Sequence, residues 1–495
     1  MVRSTGGEVK VIEGPQTPNS GRSASAQSSR GLDIPLTLPS LRHQYTTGAC
    51  SPEEVVEAII AALDARGDDG IWIYTLPPDR LRSQAAALAQ IDPQLPLWGI
   101  PFSIKDCIDV AGLPTSAGCP DFTYKATHTN PAVQKLLAAG AILIGKTNLD
   151  QFATGLVGIR TGYTVPHNAF SKDYIPGGSS SGAALSVANG LVSFAIGTDT
   201  GGSGRVPAGF NNIVGLKPTR GLLSTSHTVE ACKTLDCLSI FALTAEDTQT
   251  VFEVAQGFDS TNPYSRQVGK PSKRLSTYQT HQPFRFGVPQ PDQRAFFGNF
   301  DGEALYEKAI ATLTRLGGTC VEIDYAPFLQ ANELLFNGPW VAERYASVGK
   351  FVEANPEAVF PITREILLKA KDITATEAFV GLYAVEALKR RIQPLWDTID
   401  CLVVPTTGTA YRIDQIEADP LRLNANLGYY TNFVNLLDLS AIALPNGFQS
   451  NGIPSGVTFI APPYSETYLT GLGSAFHPAC NEPLGATSFK VGDEL

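Results

Sequence analysis

Disulfide spacing is missing from this sequence. Its eight cysteines (Cys50, Cys107, Cys119, Cys232, Cys237, Cys320, Cys401 and Cys480) are scattered and form no C-x-x-C pair. A chain of 495 residues with 43% hydrophobic content buries enough core to dispense with such staples, so reduced thiols and a cytoplasmic location are expected. Histidine is scarce: six residues, with no H-E-x-x-H and no His/Cys cluster, point to no metal site. Basic charge is in deficit, with 37 Lys and Arg against 47 Asp and Glu, a net charge of −10 and an isoelectric point near 5.2. That balance excludes the clustered cationic footprint a nucleic-acid partner requires. No apolar run reaches membrane-spanning length, so a soluble chain without a membrane partner is expected. Large apolar residues are nearly absent from residues 1–31, which are rich in Ser, Gly, Pro and Gln and read as a disordered tail. This tail lacks the apolar stretch of a secretory signal, and Glu8 and Glu13 are out of place in a transit peptide.

What is abundant is glycine and serine, concentrated between residues 176 and 221. Two serine-bearing glycine loops stand there, GGSSSG at 177–182 and GTDTGGSGR at 197–205, joined by an Ala/Leu/Val run that reads as a short helix entering a buried strand. Glycine crowds where a backbone turns sharply or lets a ligand come close. Two such loops held together by apolar elements describe a site.

Around them, helix and strand patterns alternate. Ser51 caps a helix, Pro52 suits its first position, Glu54 completes a capping box, and Val55, Val56, Ile59, Ile60 and Leu63 form its apolar stripe. A second helical pattern covers 80–90, and a third runs from Asn130-Pro131 to Gly140. Strand-like runs occur at 97–108, 286–288, 319–323, 401–404, 441–444 and 457–460, with helices expected over 303–316 and 376–395. The expectation is an α/β fold with a mixed, mostly parallel central sheet covered by helices on both faces. Residues 259–283 read as a surface excursion, and 481–495 as a C-terminal tail after a domain spanning 32–480. The run GAILIGKT at 140–147 satisfies the P-loop pattern G-x-x-x-x-G-K-[ST]. A phosphate cradle needs exposed loop amides, whereas Ala-Ile-Leu-Ile here reads as a buried strand after a glycine-capped helix.

Lys105 interrupts the apolar run LWGIPFSIKDCI at 97–108. A strand-end lysine can reach solvent or pair with Asp106 or Asp109, and an unpaired buried ammonium is strongly penalised. Two hydrolase chemistries fit the loops. G-x-S-x-G at 178–182 makes Ser180 the nucleophile of an α/β-hydrolase elbow, with His227, His281 or His477 as partner. Alternatively Ser203 follows Thr200, Gly201 and Gly202, whose amides can converge on an oxyanion, with Lys105 as a neutral base and Ser179 relaying the proton. Only the second arrangement employs both loops and the lysine.

The segments GIPFSIKD, GGSSSG, GTDTGGSGRVPA and GLKPTRG resemble the amidase signature family over residues from about 35 to about 480, and the spacings 179 − 105 = 74 and 203 − 179 = 24 fit it. By this resemblance Ser203 is the acyl-forming nucleophile, Ser179 a relay serine in a cis peptide and Lys105 the base. Thr200, Gly201, Gly202 and Ser203 make the oxyanion hole, no cofactor or metal is used, and a homodimer is implied. Ser181 stands where the family loop carries glycine. Within the family, GKTNLDQFATGLVG (145–158), FNNIVGLKPTRGLLST (210–225), LDCLSIFALT (235–244), GPWVAERY (338–345) and TNFVNLLDL (431–439) are similar to the allophanate hydrolase branch. That likeness implies a small ureido carboxylate as substrate, gripped by Arg344 and bordered by Gly155, with Phe336 in a place the branch gives to tyrosine. Two alternatives remain within the same fold: a broad-specificity amidase, and the ammonia-donating component of an amidotransferase.

Overall fold

The Ser51 signal forms as read. Helix Pro52–Arg66 starts with the Ser51 hydroxyl accepting Glu54 N at 3.3 Å, while the Glu54 carboxylate accepts Ser51 N at 2.8 Å. Val55, Val56, Ile59 and Ile60 face the core. In this computed structural model, residues 34–492 are described apart from 268, 270–274, 276 and 280–281. The tail expected over 1–31 and His281 lie outside the described residues, as does part of the excursion at 259–283.

Eleven strands make one sheet. They are β1 (Trp72–Thr75), β2 (Pro101–Lys105), β5 (Ile142–Thr147), β6 (Phe194–Asp199), β7 (Val214–Lys217), β8 (Cys237–Ala242), β9 (Phe284–Pro289), β10 (Gly318–Ile323), β11 (Cys401–Pro405), β12 (Ser440–Phe448) and β13 (Pro454–Ala461). A separate two-stranded ribbon holds β3 (Pro114–Thr115) and β4 (Tyr124–Lys125). The order is β1-β5-β2-β6-β8-β7-β12-β13-β11-β9-β10. Strands β2, β5, β6, β7, β8 and β11 are buried at every residue. Successive side chains point to opposite faces, so both faces of this stretch are covered. Helix Ser181–Ala188 lies against β2, β5, β6 and β8, and helix Val206–Phe210 against β7, β12 and β13.

The expected parallel majority is corrected. Parallel pairing joins β2 to β5 and β6, and β9 to β10 and β11. Antiparallel pairing joins β1 to β5, β6 to β8, β7 to β8, β7 to β12, β12 to β13 and β11 to β13. A strand buried on both faces reads as a continuous apolar run whichever way it points, so the apolar runs carried no information on direction.

The GAILIGKT segment is strand, not phosphate loop. Lys146 is buried in β5, ion-paired to Asp106 at 3.1 Å and donating to Pro114 O at 2.7 Å and Thr115 Oγ1 at 2.5 Å. Residues 481–492, expected as a tail, pack back onto the domain: Leu484 is buried, and Asn212 Nδ2 donates to the carbonyls of Pro483 and Gly485. No helix among the described residues is long and apolar enough to cross a membrane.

Because removing one partner strands the other as an uncompensated buried charge, Lys146→Ala should lower unfolding stability by about 3–5 kcal/mol in urea. Calorimetry on the wild-type chain should show no saturable ATP binding. Saturable binding abolished by Lys146→Ala would restore the phosphate-loop reading.

Candidate active site

Parallel β2 and β6 lie side by side and deliver their C-terminal ends to one place. Lys105 ends β2 and is fully buried. Its Nζ donates to Ser179 Oγ at 2.7 Å and to Thr198 Oγ1 of β6 at 2.7 Å. The aspartates that sequence reading offered as partners are engaged elsewhere: Asp106 with Lys146 and Ser116, Asp109 with Thr115 and Tyr124. Burial pushes the Lys105 amine below its ordinary value, against the pull of Cys107, Asp150, Asp236 and Asp199 at longer range.

The first glycine loop is moulded on Asp150. The Gly178–Ser179 peptide is cis. A Cβ on Gly178 would fall onto Asp150 Oδ2 and Gly158 N. Asp150 Oδ2 and Oδ1 each accept at 2.9 Å, from Gly158 N and Arg160 N, and Asp150 N donates to Ser179 O at 3.1 Å. Ser180 points away: its Oγ donates to Thr198 O at 3.1 Å and accepts Thr198 N at 3.4 Å, pinning the loop to β6. Of the histidines offered for the elbow reading, neither His227 nor His477 is hydrogen-bonded to Ser180. His227 stacks on His128 with ring centroids 4.7 Å apart, and His477 is buried in helix Glu466–Cys480.

The second loop is built on a buried ion pair. Asp199, the last residue of β6, meets Arg205 through Oδ2···Nε and Oδ1···Nη2, both 2.9 Å, with neither side chain exposed. Burial raises the Asp199 carboxyl, and Arg205, Lys217 and the Gly202 amide together more than offset it, so the group lies below the usual carboxylate range. The same oxygens accept Gly202 N at 2.8 Å and Gly204 N at 3.0 Å, flanking Ser203. The Gly202 N–H is committed to Asp199, so this residue serves the loop through its conformation. Its φ is +136°, and a Cβ there would meet Thr431 Oγ1 at 2.5 Å. The Thr431 hydroxyl donates to Gly201 O at 2.8 Å, and Asn435 Nδ2 donates to Asp199 O at 2.7 Å. Thr200 Oγ1 donates to Asp236 Oδ1 at 2.5 Å. Burial pushes the Asp236 carboxyl up to about 6, against the Thr200 hydroxyl, the amides of Cys232 and Ala231, and Arg344.

Arg344 projects from helix Trp340–Ala354 and is 3% exposed. The neighbour that could have neutralised it, Glu343, bonds Thr234 N and Oγ1, both at 2.7 Å. Arg344 Nη1 reaches Ala153 O and Thr154 Oγ1 at 3.4 Å each, and its Nε has no partner among the described residues. Its guanidinium stacks over the Phe336 ring at 5.3 Å. Gly155 follows directly, packed so that a Cβ would meet Asp150 Oδ2 at 2.9 Å. The sequence reading missed Thr198, Asp199, Arg205, Asp236 and Asn435. Asp199 and Arg205 stood inside the second glycine motif, where opposite charges six residues apart around a loop were a readable signal for a staple.

A family model described as Amidase matches residues 54–470. The chain is 39% identical over 428 residues to a urea amidolyase of Saccharomyces cerevisiae, covering 85% of this chain and 23% of that protein. It is 30% identical over 468 residues to one component of the glutamyl-tRNA(Gln) amidotransferase of Methylacidiphilum infernorum, covering 88% and 93%. Its fold is similar to the solved structure of a Kluyveromyces lactis allophanate hydrolase, with a TM-score of 0.83 and 37% identity, covering 89% of this chain and 72% of that one. The chain thus spans about a quarter of the length of the urea amidolyases it matches.

Proposed function

The chain belongs to the amidase family, and we propose that it hydrolyses the C–N bond of a small linear amide bearing a carboxylate, an allophanate-like ureido acid, through an acyl-enzyme. The observation that carries this reading is the fully buried Lys105, bonded at 2.7 Å to Ser179 and to no carboxylate. Burial favours the neutral amine, which can take a proton. In the proposed sequence Ser203 Oγ attacks the carbonyl carbon while its proton passes through Ser179 to Lys105. The resulting oxyanion is met by the amides of Thr200, Gly201 and Ser203. Lys105 returns the proton, again through Ser179, to the leaving nitrogen, the C–N bond breaks, and ammonia or an amine departs. Water then enters along the same relay and releases the acid.

The carboxylate at the far end is argued from Arg344. A buried guanidinium whose Nε has no partner and which has no ion-paired acid among the described residues is set to take an anion in its planar fork. Similarity to a urea amidolyase and an allophanate hydrolase supports the ureido form. The ammonia-donating amidotransferase alternative draws on a lower identity, 30% against 39%.

Ser203→Ala should abolish ammonia release from such an amide, while Ser180→Ala keeps measurable turnover. The opposite pattern would reinstate the Ser180 elbow.

Activity should carry an acid limb. Lys105 has a pKa below the ordinary 10.5 because burial penalises its ammonium. As pH falls through that lowered value the neutral base is lost, and kcat/KM should drop about tenfold per pH unit. A profile flat on the acid side, in a range where the enzyme stays folded, would remove Lys105 from the role.

Arg344→Ala should lower kcat/KM for malonamate by about 1.5–3 kcal/mol, the scale of a charged hydrogen bond, and for propionamide much less. Equal losses on the two amides would mark the arginine as structural.

A further inference from the structure

Two buried side chains from distant parts of the chain close over Gly201. A Cβ built there would lie 2.5 Å from Leu335 Cδ2 and 3.1 Å from Asn432 Oδ1. Leu335 is fully buried, and Asn432 is 6% exposed. The Asn432 oxygen has no hydrogen-bond donor among the described residues. Its neighbours are engaged, Thr431 with Gly201 O and Asn435 with Asp199 O, so the segment around it is otherwise satisfied. Folded proteins satisfy the great majority of buried acceptors, and an exception beside a reaction centre points to a partner that arrives with the ligand.

We propose that Asn432 is a substrate-binding residue whose Oδ1 accepts an N–H of the amide being cleaved. The inference rests on the amidase reading above, in which Gly201 belongs to the loop that receives the scissile carbonyl. Whatever binds there brings the nitrogen of the C–N bond with it, and a primary amide carries two N–H donors but finds mainly donors in the loop amides. Asn432 supplies the missing acceptor. Leu335, next to it, walls the space with hydrocarbon and offers nothing to compete. Each polar group of the substrate then has its complement: Arg344 for the carboxylate, the loop amides for the carbonyl oxygen, and Asn432 for the nitrogen. An ester of the same acid, which carries an alkoxy group in place of the NH2, would leave the acceptor without a donor.

The test uses a Ser203→Ala parent, which binds without turning over. Malonamate and monomethyl malonate share the carboxylate and the acyl group and differ in the group on the carbonyl carbon, NH2 against OCH3, so that only the first offers an N–H. Titration calorimetry compares both ligands in the parent and in the same chain carrying Asn432→Leu, with Asn432→Ala as the second variant. The Kd for malonamate should rise about tenfold, the worth of one hydrogen bond, and that for monomethyl malonate should stay within about twofold. The Tm should hold or rise, since a donorless buried oxygen is replaced by hydrocarbon. Equal weakening of both ligands, unchanged malonamate binding, or a fall in Tm in both variants would overturn the assignment while leaving the amidase reading intact. A parent that binds neither ligand would overturn the small-carboxylate reading and this inference with it.

Discussion

Asp199 and Arg205 are a pair of charges with no exposed surface, and such a pair persists only while every lone pair and N–H around it is used. That requirement shapes the site. The carboxylate that neutralises Arg205 also gathers the amides of Gly202 and Gly204, which sets the curvature of the loop carrying Ser203. The guanidinium reaches beyond the carboxylate to Thr431 O at 3.1 Å and Asn435 Oδ1 at 3.3 Å, which ties the loop to the segment leading into β12. Replacing the pair by hydrocarbon would leave the loop amides without their acceptor. The pair therefore acts as the template on which Ser203 is held.

A second constraint follows from charge. Cys107 and three buried aspartates, Asp150, Asp236 and Asp199, pull the Lys105 amine upward from a distance, and burial outweighs them. None of the aspartates is unopposed. Arg205 covers Asp199, Arg160 and backbone amides cover Asp150, and burial raises Asp236 to about 6 with Thr200 and Arg344 against it. Burial then dominates at the lysine, and the amine keeps a lowered proton affinity inside an acidic neighbourhood.

Much of this arrangement was legible in one dimension. The Ser51 capping box, the two glycine loops and Lys105 in its apolar run are local signals, and local signals survive folding. The GKT match was also resolvable, because the residues between its glycines had strand character and the first glycine had another duty. Strand direction was hidden, since β7, β8 and β12 are as continuously apolar as β2 and β5. The engagement of the Gly202 amide by Asp199 was hidden as well, because it depends on which way that carboxylate turns once Arg205 holds it. Whether Glu343 would quench Arg344 turned on Thr234, a residue 109 positions away that takes both carboxylate oxygens. The bare oxygen of Asn432 is legible only when the residues around it are in place.

The bonds from Thr431 to Gly201 and from Asn435 to Asp199 span 230 and 236 residues. During synthesis from the N-terminus, Lys105, Ser179 and Ser203 are all made long before the segment that fixes the second loop. Closing so long a span has to precede any gain from the contact, which places this step late in the order of assembly. A chain grown only to residue 430 thus holds Lys105, Ser179 and Ser203 without the bonds that fix the second loop. The second glycine loop thus acquires its frame only once residues 431–435 have been made, more than two hundred residues after the loop itself.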